Sequence, residues 1–237
     1  KDDMVEIYRS KYMNLIGIKA RKASEYKVAT KVKNKVLIEY VLERALNVNE
    51  ICDVTVATSY RKIDDPIALY CKQRKIRVFR GTCDNVALRF LECMKQNNWD
   101  AALRVNGDSP LHSHLLMSQA VKMYKSEKID LITNVFPRSY PVGMTVELVS
   151  RNALDKAYKK MKKDSNFEHV TEYFYENSRD FNIMTIDEYN YDHSGIRLAV
   201  DSEDDFKRFK WIINKLGKSY LSASYEEIID LYKLYEK

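Results

Sequence analysis

The amino-acid sequence predicts a doubly wound α/β fold, and three features carry that expectation. Short apolar runs of strand length alternate with amphipathic helical stretches four times in the first half, the order that gives a mainly parallel sheet with crossover helices. Hydrophobic residues make up 45% and charged residues 31% of the 237 positions, enough for a full core under a charged surface. Two apolar runs also end in an acid just before a new helical stretch, at Asp108 and Asp201. In open α/β sheets that edge is where ligands bind.

Taken in order, "NLIGI" (Asn14 to Ile18) is a first strand, followed by a basic loop and the amphipathic "VLIEYVLERAL" (Val36 to Leu46). "ICDVTVAT" (Ile51 to Thr58) is a second strand, and Asp64 to Arg74 a helix with Pro66 in its first turn, where a missing N–H costs nothing. "IRVFR" (Ile76 to Arg80) and Asp84 to Gln96 repeat the unit, and "AALRVN" (Ala101 to Asn106) is the fourth strand. The second half is less regular. "LLMSQAVKMYK", "NALDKAYKKM", "EHVTEYFYEN" and Asp205 to Leu216 have helical period, whereas "DLITNVF", "MTVELVS", "FNIMTI" and "IRLAV" have the character of strands. No repeat or Gly/Pro linker divides the chain, so the expectation is one domain, residues 1–237, with a β-rich insertion over about 134–190.

Composition excludes several function classes. No stretch approaches the ~18 consecutive apolar residues of a membrane helix, and the charged N-terminus "KDDMVEIYRSKYMN" lacks the apolar core of a signal peptide, which points to the cytoplasm. Cys52, Cys71, Cys83 and Cys93 form no CxxC pair and suit free thiols in a reducing compartment. The net charge of +6 is spread along the chain among 34 acids. That favours a local basic pocket for a phosphorylated ligand over a nucleic-acid surface. His112 and His114 follow Pro110 at a helix start, where residues two apart diverge, so they do not suit a metal site.

The chemistry lies at the strand ends. Two carboxylates brought from distant sequence to one sheet edge are what Mg²⁺ on a triphosphate needs, because the ion keeps several waters and takes only one or two protein oxygens. Each acid also has a plainer reading. Asp108 can cap a turn before Pro110, and "DSEDDF" scans as a helix start with Ser202 as N-cap and Asp205 in the capping-box position. The loop after the first strand, "IKARKASEYKVATKVKNK" (Ile18 to Lys35), is crowded with Lys and Arg and has no glycine. It fits neither GxGxxG nor GxxxxGK[ST], so any phosphate it holds is held by side chains.

Read together, "KARKAS" (19–24), "KVLIEYV" (35–41), "DDPIALYCKQRKIRVFRG" (64–81), "DNVALRF" (84–90), "RVNGDSPL" (104–111), "YPVGMTVELVS" (140–150), "EHVTEY" (168–173) and "RLAVDSEDDF" (197–206) resemble the cytidylyltransferases of the spore-coat-polysaccharide type. These are relatives of CMP-sialate and CMP-Kdo synthetases. The resemblance runs in order from about residue 15 to about 210 and leaves the tail "SASYEEIIDLYKLYEK" without a clear counterpart. It implies a Rossmann-like nucleotide-diphospho-sugar transferase fold and transfer of CMP from CTP to an acidic sugar or related acceptor, with release of pyrophosphate. By matched position, Arg21 and Lys27 would act on the triphosphate, with Lys19, Ser24 and Asn106 among the nucleotide-binding residues. Arg80 would sit near the cytosine, Asp108 and Asp201 would hold Mg²⁺, and Glu168 and His169 would approach the sugar or a partner subunit.

The chain departs from that family at two places. Members carry Gln-Ala-Arg, a Met-Gly pair and a Pro-Gly in the first loop, where this chain has Lys19, Lys22-Ala23 and a shortened Ser24-Glu25-Tyr26-Lys27. Their "PDGLDVE" reads "PVGMTVE" here, with Val142 and Thr145 in place of acids. A second reading therefore keeps the fold and drops turnover, leaving a nucleotide-binding or assembly subunit. The segments "MTVELVS" and "EHVTEYFYEN" carry more apolar surface than a monomer should expose, which predicts a homodimer through this region. The run Tyr173, Phe174, Tyr175 belongs to the core or to that interface.

Overall fold

The computed structural model describes residues 14–19, 31–51, 53–124, 129–186 and 192–237. In chain order the strands are β1 (Asn14–Lys19), β2 (Lys31–Val32), β3 (Lys35–Val36), β4 (Thr55–Ser59), β5 (Arg77–Gly81), β6 (Ala101–Asn106), β7 (Leu131–Thr133), β8 (Glu147–Ser150) and β9 (Ile183–Thr185). Seven of them form one sheet in the order β5-β4-β1-β6-β8-β7-β9. β1, β4, β5 and β6 are parallel, while β8 runs antiparallel to both neighbours. The sheet is mainly parallel, as the βα alternation predicts. β2 and β3 make a separate hairpin whose turn residues, Lys33 and Asn34, both have positive φ, the conformation that suits a two-residue turn between twisted strands.

Helices cover both faces. They are α1 (Leu37–Leu46), α2 (Asp65–Gln73), α3 (Val86–Gln96), α4 (His114–Met123), α5 (Arg151–Lys160), α6 (Asp164–Glu168), α7 (Glu172–Glu176), α8 (Glu203–Leu216) and α9 (Tyr225–Tyr235). Their starts follow the capping residues: the side chains of Asn85, Ser113, Ser150 and Ser224 each accept a backbone N–H of the first turn. Alternate residues of β6 serve opposite faces. Ala101, Leu103 and Val105 pack with α1, α2 and α4, and Ala102 packs with α3, α5 and the α6–α7 segment. A third cluster joins α8 and α9 to α1.

Several elements differ from the sequence expectation. "IRLAV" is an extended segment with a single bridge, Arg197 to Val142, because the backbone N–H groups of Leu198 and Val200 bond to loop carbonyls, of Val142 and Asp108. Within 134–190, β8 and β9 join the central sheet, and α5, α6 and α7 fill much of the rest. "EHVTEYFYEN" is broken at His169–Thr171 into two short helices. Phe174 is fully buried within the protomer, as are Leu148 and Val149. The apolar surface that predicts an interface is therefore largely used in the protomer's own core, leaving Phe136 and Met184 as the exposed large apolar residues among the described residues of that region.

Candidate active site

The parallel strands place Lys19, Ser59, Gly81 and Asn106 at one edge, their common carboxyl end. Lys19 lies directly opposite Asn106 in the β1–β6 register, so the basic loop begins beside the "NGD" turn. Arg21, Ser24 and Lys27 lie outside the described residues. The Asn106 side-chain oxygen is buried and finds no hydrogen-bond donor among the described residues. Burying such an acceptor costs about 1–3 kcal/mol unless something satisfies it, so the strand end suits a polar partner.

Asp108 and Asp201 meet here from sequence positions 93 apart. The Val200 N–H donates to the Asp108 carbonyl at 2.8 Å, which sets Asp201 immediately beside the turn. Gly143 makes this approach possible. It has φ +100°, and a Cβ there would lie 2.5 Å from the Ala199 nitrogen. The Ser109 hydroxyl donates to Asp108 Oδ1 at 3.1 Å, and the Asp201 carboxylate pairs with Arg197 at the surface. An exposed pair of this kind is worth about 0–1 kcal/mol, so Asp201 exchanges its partner at little cost. Ser202 and Asp205 form the capping box that the sequence suggests, and α8 accordingly begins one residue after Ser202. Because Asp205 does the capping, the Asp201 side chain is left for other use. The described residues contain no group of three or more metal-ligating side chains. A pair of carboxylates is nonetheless sufficient for Mg²⁺ that brings phosphate oxygens with it.

On the other flank, Arg80 is held by the β4 end. Its Nε donates to the Ser59 carbonyl at 2.9 Å, Nη2 donates to the Arg61 carbonyl at 3.1 Å, and Nη1 pairs with Asp65 at 2.6 Å. These contacts hold the guanidinium against the end of β4, two strand spacings, roughly 10 Å, from β6.

Beyond β6 lies a group of residues that reading by motif did not assign. Arg104 and Glu147 face each other across β6 and β8, and Arg104 Nη1 donates to Glu147 Oε2 at 2.7 Å. Glu147 Oε1 accepts from the Thr171 hydroxyl at 2.6 Å and the Tyr175 hydroxyl at 2.7 Å. Burial first, and then the Glu147 charge, push the Tyr175 phenol above its ordinary range, so it remains the donor. One signal was available in the sequence: opposite charges each embedded in an apolar strand, "AALRVN" and "MTVELVS", are a candidate buried pair. Glu168 closes α6 and His169 is its exposed C-cap, two residues before Thr171 in the chain.

Strand order and site together define an α/β frame with polar side chains gathered along the carboxyl edge, where open sheets of this kind bind ligands. The sequence profile described as cytidylyltransferase matches residues 18–235. A protein of Methanocaldococcus jannaschii without an assigned function is 33% identical over 202 residues, covering 83% of this chain and 82% of its own length. The spore coat polysaccharide biosynthesis protein SpsF of Bacillus subtilis is 23% identical over 185 residues, or 77% and 76% of the two chains. A cytidylyltransferase structure from Leptospira borgpetersenii superimposes with a TM-score of 0.86 at 26% identity, covering 95% of each chain. The chain belongs to the cytidylyltransferase family. The match reaches residue 235 and so includes the tail, for which the motifs gave no counterpart.

Proposed function

We propose that the protein transfers the cytidylyl group of CTP to a hydroxyl of an acidic sugar or related acceptor in polysaccharide biosynthesis. The observation that supports this reading is the Val200–Asp108 backbone bond, which sets Asp201 beside the turn after β6, where Lys19 stands opposite Asn106 in the neighbouring strand. The acceptor oxygen forms a bond to the α-phosphorus and the bond to the β-phosphate oxygen breaks. Pyrophosphate leaves, and the hydroxyl proton passes to solvent. Arg21 and Lys27 neutralise the departing phosphates, Lys19, Ser24 and Asn106 orient the triphosphate, and Arg80, braced on β4, faces the base end. Asp108 and Asp201 are the residues that would hold Mg²⁺, which when bound supplies positive charge to the phosphates. Positioning and charge then account for most of the rate.

Support for turnover over mere nucleotide binding comes from Asp201, whose side chain stands outside the α8 capping box and pairs with Arg197 at the surface. A reaction drawing on CTP suits the cytoplasm, where buried free thiols such as Cys71 and Cys93 are at home. Calorimetric titration of CTP with and without Mg²⁺ tests the reading. Lys27→Ala should weaken CTP about ten- to a hundredfold, because a charge-assisted contact is worth about 1.5–3 kcal/mol. Asp108→Asn should abolish Mg²⁺-dependent turnover and leave the fold intact, since the Val200 bond uses the backbone carbonyl. Absence of CTP binding at millimolar nucleotide would leave the non-catalytic reading in its place. We also propose a two-fold dimer through the segment about 134–190; sedimentation as a monomer at micromolar protein removes that proposal.

A further inference from the structure

Two guanidiniums and one carboxylate meet beneath α7, at the same sheet edge as Asp108 and on the side away from Arg80. Glu147 already accepts from Arg104, Thr171 and Tyr175, which takes three of a carboxylate's roughly four acceptor positions. Arg138 feels the field of Glu147, yet among the described residues it makes no ion pair. Its side-chain partner there is the Thr145 hydroxyl, 3.4 Å from both Nη1 and Nη2, at the outer limit of a hydrogen bond. Arg104 is only 8% exposed, and its Nε has no hydrogen-bond partner among the described residues. The group therefore carries one net positive charge in a largely buried place, with donors left over. Buried charges are ordinarily matched, and here the matching anion is missing from the described part of the chain.

Arg138 is half-buried, within the field of Tyr175, and an aromatic wall stands beside it. Phe136 is 38% exposed and its ring stacks on Tyr175 with centroids 5.1 Å apart. A stacked aromatic pair next to a half-buried guanidinium suits a ligand with an apolar ring face and a charged substituent. Arg presents a planar fork that meets two oxygens of a carboxylate or phosphate at once.

We propose that Arg138 binds the anionic group of the acceptor, with Arg104 and Glu147 fixing the charge of the pocket and the Phe136–Tyr175 stack flanking the acceptor ring. The inference rests on the cytidylyl-transfer reading above and adds to it the residue that selects the acceptor. Arg138 is a binding and specificity residue, outside the bond-making machinery.

The test is calorimetric titration of N-acetylneuraminate, 3-deoxyoctulosonate, glycerol 1-phosphate and glucose, with and without saturating α,β-methylene-CTP. The parent should bind one of the three charged ligands and not glucose, and whether a carboxylate or the phosphate binds identifies the group. Arg138→Gln should weaken that ligand ten- to a hundredfold while leaving nucleotide affinity within twofold. Thr145→Asp, which gives Arg138 an internal carboxylate partner and so tends to stabilise the fold, should block the anion equally and decides the matter if Arg138→Gln does not fold. Binding of none of the charged ligands, equal binding of glucose, or unchanged anion affinity in both variants overturns the proposal. Failure of the parent to bind nucleotide defeats cytidylyl transfer instead, and the titration without nucleotide still decides the role of Arg138.

Discussion

Replacing Glu147 with Gln isolates the energetics of the pocket. The substitution keeps shape and removes a charge that sits 3% exposed, with Arg104 on one oxygen at 2.7 Å and the Thr171 and Tyr175 hydroxyls on the other. An amide has one oxygen and one NH2 in place of two acceptors. With its oxygen on the guanidinium the amide makes the two hydroxyls turn from donors to acceptors, and with its NH2 there it sets donor against donor. Arg104 is left charged and without a counterion in a nearly dry site, and breaking a buried pair in this way costs about 3–5 kcal/mol. For a chain of this size each kcal/mol moves the melting temperature about 2–4 °C, so the expected loss is roughly 6–20 °C. Urea unfolding followed by circular dichroism measures it directly. The double change Glu147→Leu with Arg104→Leu should recover much of the loss, because an apolar pair of similar volume removes the uncompensated charge as well as the salt bridge. A loss below 1 kcal/mol in Glu147→Gln refutes the argument, since it would mean that water reaches Arg104 freely.

Two further outcomes follow from the backbone and the α8 cap. Gly143→Ala should destabilise the fold by about 1–3 kcal/mol from its positive φ alone, with more from the clash at Ala199, and should loosen Asp201 from Asp108; an unchanged melting curve would contradict it. The Asp205 carboxyl lies below its ordinary pKa because, although burial raises it, hydrogen bonds from Ser202 and from the backbone N–H groups of Asp201 and Ser202, with Arg208 nearby, outweigh that effect. Its stabilising contribution is therefore present above the ordinary aspartate value near ~3.9 and lost as pH falls through the lower folded value, so Asp205→Asn should flatten the acid limb of the stability–pH curve below about pH 4.

The four βα units of the first half are legible because strand-length apolar runs and helical period coincide there, with Pro66 in the first turn of α2 as expected; in the second half, Ser202 caps α8 as its pattern predicts. "IRLAV" has the composition of a strand, but its partners are the loops at Val142 and Asp108, and no local pattern reports a partner 92 residues away, the separation of Val200 from Asp108. "EHVTEYFYEN" keeps helical period across its break because Val170 and Phe174 are both fully buried. Asp108 and Asp201 were found as strand-end acids. Arg104, Glu147 and Arg138 were not assigned, since each becomes informative only once β6 and β8 are known to be neighbours. The glycine-free loop holding Arg21, Ser24 and Lys27 lies outside the described residues, and the roles proposed for them rest on the family resemblance.

Arg44 has a consequence for the order in which the molecule can be completed. Its buried guanidinium, which burial lowers to about 10, donates to three backbone carbonyls, those of His112, Tyr220 and Ala223. Two of these lie 176 and 179 residues further along the chain. During synthesis at about 5–20 residues per second, α1 emerges many seconds before the carbonyls that satisfy it. In that interval the α1 face around Arg44 has neither water-free packing nor its final partners, so the nascent chain must keep it solvated or shielded. Closure of the third core cluster is therefore a late, long-range event, and a polypeptide halted before residue 220 carries an unfinished α1 surface that chaperones would be expected to recognise.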